Sequence, residues 1–357
     1  MGKKRKEKSF SSFLNNPIDF TLLITILLLL SIGLIMVLSA SSPSALAESG
    51  NSYSYFSKQL IFAILGIIAM LFISKIDYRF YQKFYKHAWV IALVLLALVL
   101  IAGRTVNGAK RWIYVTETLS FQPSELVKLL MIIFYAGILV KNMLLLAPII
   151  GLLLLEPHFS ASIVIIGICS IMMIMGGCKF WHFLITGGVA GIPAMIFLII
   201  KEPYRLQRVV TFLDPWKDAT GDGWQVIQSL YAIGSGGVFG VGLGESKQKF
   251  LYIPEPHNDF IFSILGEEIG FVGCAVVLIL FAIFIWRGVL IAMRAPDMFG
   301  SLIAIGITAL VAIQVIINIA VVTSSMPATG MPLPFFSYRR NCFIYITLRN
   351  GYFTEYI

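Results

Sequence analysis

Ile18-Asp19-Phe20-Thr21-Leu22-Leu23-Ile24-Thr25-Ile26-Leu27-Leu28-Leu29-Leu30-Ser31-Ile32-Gly33-Leu34-Ile35-Met36-Val37-Leu38 carries a single charge. A helix of that length spans the roughly 30 Å of a bilayer's hydrocarbon core. Lipid offers no partner for a free backbone group, so such a run must cross as a helix. Comparable runs predict further spans at Gln59–Ile73, His87–Ala102, Leu126–Val140, Met143–Leu155, Ser160–Met175, Phe180–Ile200, Phe260–Trp286 and Ser301–Val322. A tenth is expected after Phe336, and Lys141-Asn142 leaves a very tight hairpin between the fourth and fifth. The expectation is therefore an all-α, polytopic membrane protein of about ten transmembrane helices.

Composition agrees. The chain is 58% hydrophobic and 13% charged, where a soluble domain carries about 25% charged residues. Basic Met1–Lys8 precedes the first run, but that run is too long for a leader's apolar core. Ser39–Ser44 is also a poor imitation of a cleavage site, so the first run is read as a membrane helix. Cys169, Cys178, Cys274 and Cys342 are scattered with no CxxC spacing, which suggests neither a disulfide framework nor a zinc site. Nothing in the sequence points to nucleic acid.

Basic residues set the orientation. Lys3, Lys4, Arg5, Lys6 and Lys8 place the N-terminus in the cytoplasm by the positive-inside rule. Alternation then puts Lys75, Arg79, Lys83, Lys86, Lys141, Lys179, Arg287 and Arg294 on the same side. The chain divides into a basic tail (1–16), a membrane domain (17–338) and an aberrant C-terminus (339–357). Two outward segments stand out: 103–124, with Arg104, Lys110, Arg111 and Glu117, and the large extracytoplasmic loop 201–258. A loop that long is functional or disordered. Its Trp216, Trp224 and Tyr231 and its apolar, glycine-rich stretch argue for order, so the working face is the outer one.

Pro254-Glu255-Pro256-His257-Asn258-Asp259 stiffens the end of that loop before a helix enters the membrane. Asn258 or Asp259 reads as an N-cap. Alternatively, Asp259 is a carboxylate at the lipid–water boundary, where partial burial raises its pKa toward that of a general base. Ser263 and Glu267 are expected on its face, and Glu267-Glu268 must face protein or water rather than lipid. In Gln122-Pro123-Ser124-Glu125-Leu126-Val127-Lys128, Ser124 can cap the fourth helix, and Glu125 and Lys128 share a face at i, i+3. That pair is either a structural bridge or a functional intramembrane lysine with its partner. Arg111-Trp112 reads as an interfacial belt or as an anion clamp for a phosphate-bearing lipid. Arg205 and Arg208 invite the same two readings. Gly234–Gly244 fits no nucleotide-binding loop; Gly236, Gly240 and Gly244 at four-residue spacing predict a small-residue face for helix packing, in an interfacial or re-entrant segment. His158 and His182 read as structural.

Together these stretches resemble the SEDS family (shape, elongation, division and sporulation proteins). The resemblance runs through Arg111-Trp112-Ile113, Gln122–Lys128, Leu155–Ser160, Tyr204–Trp216, Gln228–Gly244, Pro254–Gly270 and Gly330–Tyr338. Glu156-Pro157-His158-Phe159-Ser160 and Pro254–Asp259 look more like its division and sporulation branch than its elongation branch. The resemblance implies a peptidoglycan glycosyltransferase that polymerises lipid II outside the cytoplasmic membrane, beside a class B penicillin-binding protein and other divisome proteins. It implies Asp259 as the family's essential acidic residue at the catalytic position, and conserved roles for Glu125 and Lys128. Arg111, Trp112, Arg205, Arg208, Glu255 and His257 are the remaining substrate-binding candidates. No cofactor is certain; a divalent cation, Mg or Mn, is the one considered. A lipid II flippase and a non-catalytic divisome scaffold are the alternative functions.

Two departures from the family pattern stand out. The Lys141-Asn142 connection is shorter than usual. After Tyr338 the pattern Gly-Gly-Thr-Ala gives way to Arg339-Arg340-Asn341-Cys342-Phe343-Ile344-Tyr345. Deleting one base from suitable codons for that run restores Gly-Gly-Thr-Ala-Leu-Phe-Ile, so a single-base insertion near codon 339 accounts for the change and disrupts the last helix.

Overall fold

A computed structural model describes residues 19–106, 109–114, 120–138, 143–156, 159–179, 181, 200, 203–221, 223–250 and 252–338. Most of the expected helix Phe180–Ile200 (180 and 182–199), the 141–142 hairpin, His158, His182 and the segment 339–357 lie outside the described residues.

Helix α1 (Phe20–Ser49) runs well beyond the apolar stretch and ends on Gly50 in the left-handed region, φ 68°. Asp19 starts it: one carboxylate oxygen accepts from Leu22 N at 3.0 Å, and the other binds Arg287. One buried acid thus caps α1 and ties it to a distant helix. Helix α2 (Ser54–Ile73) follows, then the short α3 (Arg79–Lys83) and α4 (Tyr85–Ala102). At this same end Tyr78 donates to Asp297 Oδ2 at 2.7 Å, while Asp297 Oδ1 accepts from Gly300 N at 2.8 Å.

The outward segment 103–124 forms three short antiparallel strands that the helix-only expectation lacked: β1 (Arg104–Val106), β2 (Ala109–Tyr114) and β3 (Ser120–Phe121). Helix α5 (Pro123–Gly137) begins next. Its N-cap is Gln122 with no side-chain cap, so Ser124 sits inside the helix rather than capping it. Pro123 explains the early start, since its fixed φ suits the first turn and its missing N–H is not needed there. A 3₁₀ turn (Met143–Leu146) leads to α6 (Ala147–Leu155), and α7 (Phe159–Met175) completes this group.

The large loop holds α8 (Pro203–Leu213) and α9 (Trp224–Gly236) before α10 (Ile261–Arg294) and α11 (Met298–Val322) return to the bundle. Five of the described helices (α1, α2, α4, α10 and α11) are long and apolar enough to span a membrane. α11 is the most enclosed of them, with 72% of its apolar window buried. It packs on α10, α7 and α5, while α10 also packs on α1 and α9.

α10 is broken at Gly270, where φ is 71° and ψ is −166°. The break strands backbone groups that lipid cannot satisfy. The glycine-rich segment satisfies them: Val241 N and Gly242 N donate to the carbonyls of Glu267 and Glu268, and Phe271 N and Val272 N donate to Gly237 and Val238. Side chains at Gly236, Gly240 or Gly270 would collide with this opposing backbone. The segment is packed, as expected, but not as a helical face. Gly240, Gly242 and Gly244 have φ of 82°, 114° and 86°, which no continuous helix allows.

Candidate functional site

Beyond α11 the chain does not leave the bundle. Residues 326–338 run back into it: Phe335 and Phe336 pack on Phe281 and Phe284 of α10, and the Phe335 carbonyl lies against Gly33 of α1. The segment then returns, and Tyr338 N donates to the His257 carbonyl at 2.8 Å. Three helices fasten to its first half. Arg208 of α8 donates to Ala328 O at 2.6 Å, and Ser160 of α7 donates to Thr329 O at 2.8 Å. Asn318 of α11 donates to Met331 O at 2.7 Å and to the Asp259 carbonyl at 2.8 Å. The Asp259 carboxylate lies beside Gly330.

Asp259 and Arg208, far apart in sequence, therefore both lie against one strap of chain. Both are half-buried. Arg208 also lines a cleft of about 150 Å³ with Thr211, Gln225 and Ser324. A separate apolar cleft of about 330 Å³ runs along α4, α5 and α11, lined by Phe84, His87, Leu126, Leu130 and Ile303 among others.

The N-cap expectation for Asn258 and Asp259 fails. The cap of α10 is Phe260, with no side-chain cap, and Asn258 instead donates to Glu255 Oε2 at 2.7 Å. Glu267 does not serve the Asp259 site either: its carboxylate accepts from Ser246 Oγ, Lys247 N and Gln248 N. Ser263 bonds back to Phe260 O within its own turn. Glu268 pairs with Lys249, whose ammonium also reaches Ser39 Oγ and Gly244 O.

Lys128 donates to both Glu125 oxygens at 2.9 and 3.0 Å, and both side chains are buried. Arg111 and Trp112 are half-buried on β2, where Trp112 pairs with Arg104. Glu156, buried at the end of α6, has its carboxyl pushed up to about 8 by burial, with the Arg111 charge opposing. Arg205 lies on α8, but its side chain is not among the described residues. Glu255 is exposed. His257 is buried between Tyr55 and Tyr338, at ring distances of 4.9 and 5.7 Å, and burial lowers its pKa. Among the described residues no three His, Cys, Asp or Glu gather as a metal-binding group.

Among the described residues the non-glycine positions with positive φ are Glu255, Ser324 and Phe335, at 46°, 52° and 69°. Glu255 and Phe335 lie in the two segments that meet here, and Ser324 stands two residues before the second of them. Such strain costs roughly 1–3 kcal/mol per residue and clusters where function demands a geometry. Sequence reading missed Ser160 and Asn318. Asn318 left a signal, because a buried amide in an apolar helix is costly without a purpose. Ser160 left none beyond its place in the Glu156–Ser160 stretch.

Gly330, at φ 66°, would place a new Cβ 3.2 Å from Asp259 Oδ2. Gly330→Ala is therefore expected to lower turnover at least tenfold, by straining the strap and crowding the carboxylate. Steady-state assay of the purified variant checks this.

A family model described as cell cycle protein, covering FtsW, RodA and SpoVE, matches residues 20–349. The chain belongs to that family. Among its FtsW/RodA/SpoVE relatives, stage V sporulation protein E of Bacillus subtilis (strain 168) is 44% identical over 336 residues, covering 90% of this chain and 91% of that protein. A probable peptidoglycan glycosyltransferase FtsW of Trichlorobacter lovleyi is 40% identical, covering 90% and 88%. A chain from a solved peptidoglycan synthase complex, described as coordinating polymerization and crosslinking, superposes with a TM-score of 0.78 at 28% identity, covering 95% and 97%. The helical polytopic fold read from the sequence is thus the fold of this bacterial membrane family.

Proposed function

We propose that this protein is a peptidoglycan glycosyltransferase that polymerises lipid II in division or sporulation, with its N-terminus in the cytoplasm and its site at the outer membrane face. The observation that carries the reading is that Asp259 and Arg208 both lie against residues 328–331, at the end of the bundle fed by the large loop.

The reaction joins a sugar 4-hydroxyl to a carbon bearing a lipid diphosphate. Asp259 takes the hydroxyl proton as the new bond forms. Negative charge grows on the departing diphosphate, and Arg208, with Arg111, Arg205 and Lys128 as further cations, stabilises it. Trp112, Glu125, Glu255 and His257 shape and hold the surroundings. A class B penicillin-binding protein and other divisome proteins are the proposed partners. A site at the bilayer edge leaves the polyprenyl tail in lipid while the sugars react in water.

Reconstitution with lipid II, in vesicles and with the partner present, tests this. Glycan polymer that disappears in Asp259→Ala is the expected result. Transfer of lipid II across the bilayer without polymer, unaffected by that change, would establish a flippase instead. Neither polymer nor transfer would leave the scaffold.

A further inference from the structure

We propose that Asn318 is a positioning residue for Asp259, acting by locking the backbone that carries the carboxylate to the strap that carries Arg208. The inference rests on the reading of Asp259 as the base.

Asn318 sits near the outer end of α11 at 1% exposure. Its Nδ2 has two protons, and both are used: one reaches the Asp259 carbonyl at 2.8 Å and the other the Met331 carbonyl at 2.7 Å. Those carbonyls belong to two segments separated by more than seventy residues of sequence. Neither segment is helical at this point. Backbone that lacks a helix's own ladder has nothing to fix its position except such cross-links. Tyr338 N also ties this segment to the strap through the His257 carbonyl. The Asn318 amide, however, is the cross-link at Asp259 itself, and it joins the base to residues 328–331, where Arg208 is anchored.

The other half of the amide argues the same way. Among the described residues, Asn318 Oδ1 is buried with no hydrogen-bond partner. A buried acceptor left unpaired is a standing cost, and a leucine, with the same branched arrangement of four heavy atoms in a somewhat larger side chain, would occupy the site without it. The residue is thus poorly suited to packing and well suited to bridging two carbonyls. No other standard side chain of that size offers two protons from one atom in a fixed plane. The chain direction reinforces this: Asp259 lies two residues before α10, outside its hydrogen-bond ladder, so the carboxylate inherits any looseness in its own backbone.

The consequence is kinetic. A base misplaced by about 1 Å costs on the order of 100-fold in rate, whereas substrate held by other groups still binds. Asn318→Leu is expected to lower kcat for lipid II polymerisation about 30- to 100-fold, with KM changed less than threefold and the melting temperature in detergent nearly unchanged. Asn318→Gln keeps the two protons on a longer arm and is expected to recover at least a third of the lost log-rate. Parallel loss in kcat, KM and thermal stability, with no recovery in the glutamine variant, would mean a structural role only and overturn the proposal. So would an unchanged kcat in Asn318→Leu. Asp259→Ala, run alongside, separates the two ideas. If it retains polymerisation, the reading of the base fails; if it is inactive while Asn318→Leu is normal, the positioning inference alone fails.

Discussion

Replacing Asp259 by asparagine is expected to lower glycan polymerisation about 10²- to 10⁴-fold, the range that a positioned proton acceptor contributes, while the protein remains folded. Asparagine keeps the size and planarity of the side chain and removes its ability to take a proton. The folding cost should be small for reasons visible in the site. The carboxylate is half-exposed, α10 does not use it as a cap, and the Asp259 backbone is held through its carbonyl by Asn318. Loss of rate with an unchanged melting temperature therefore isolates the chemistry. Initial rates at saturating lipid II, together with thermal unfolding in detergent, provide the check. A variant with a tenth or more of the original rate would remove Asp259 from the mechanism.

The spans were legible because the penalty that writes them is large and local. An unpaired backbone group or a lone charge in lipid costs several kcal/mol, so the sequence must announce each crossing. Ends were less legible. α1 continues to Ser49 through a small-residue stretch that no hydropathy pattern demands, and α5 begins at Pro123 rather than Leu126. The break at Gly270 was not readable at all. A glycine inside an apolar run looks like any other until a partner strand supplies the missing hydrogen bonds, and that partner, 237–242, lies about thirty residues away.

The candidate site divides in the same manner. Asp259 and Arg208 were picked out as charges at a membrane boundary, where charge is expensive. Their common anchor was not, because Ala328, Thr329 and Met331 contribute only backbone carbonyls, which carry no sequence signature. Glu267 misled for a related reason. Helical spacing correctly forbids it from facing lipid, but spacing cannot say whether water, substrate or a loop satisfies it. Here a loop does, through Ser246 and two backbone amides.

The same loop makes the second large prediction. Lys249 is 4% exposed, and its ammonium joins Glu268 of α10 at 3.0 Å, Ser39 of α1 at 3.1 Å and Gly244 O at 2.5 Å. Lys249→Met would leave Glu268 as a buried charge without its partner, and breaking such a pair costs about 3–5 kcal/mol. The expected result is a fall of several degrees or more in melting temperature. Because residues 237–242 of the same stretch patch the break at Gly270, a loosened loop should disturb the N-terminal half of α10 and with it Asp259, so turnover should drop alongside stability. Adding Glu268→Gln removes the stranded charge. A buried pair replaced as a pair is often neutral or better, so the double variant is expected to regain most of the lost stability and rate. If the single variant melts like the parent, the ion pair does not hold the loop. If the double variant is no better than the single, the damage comes from lost packing of the lysine stem rather than from uncompensated charge.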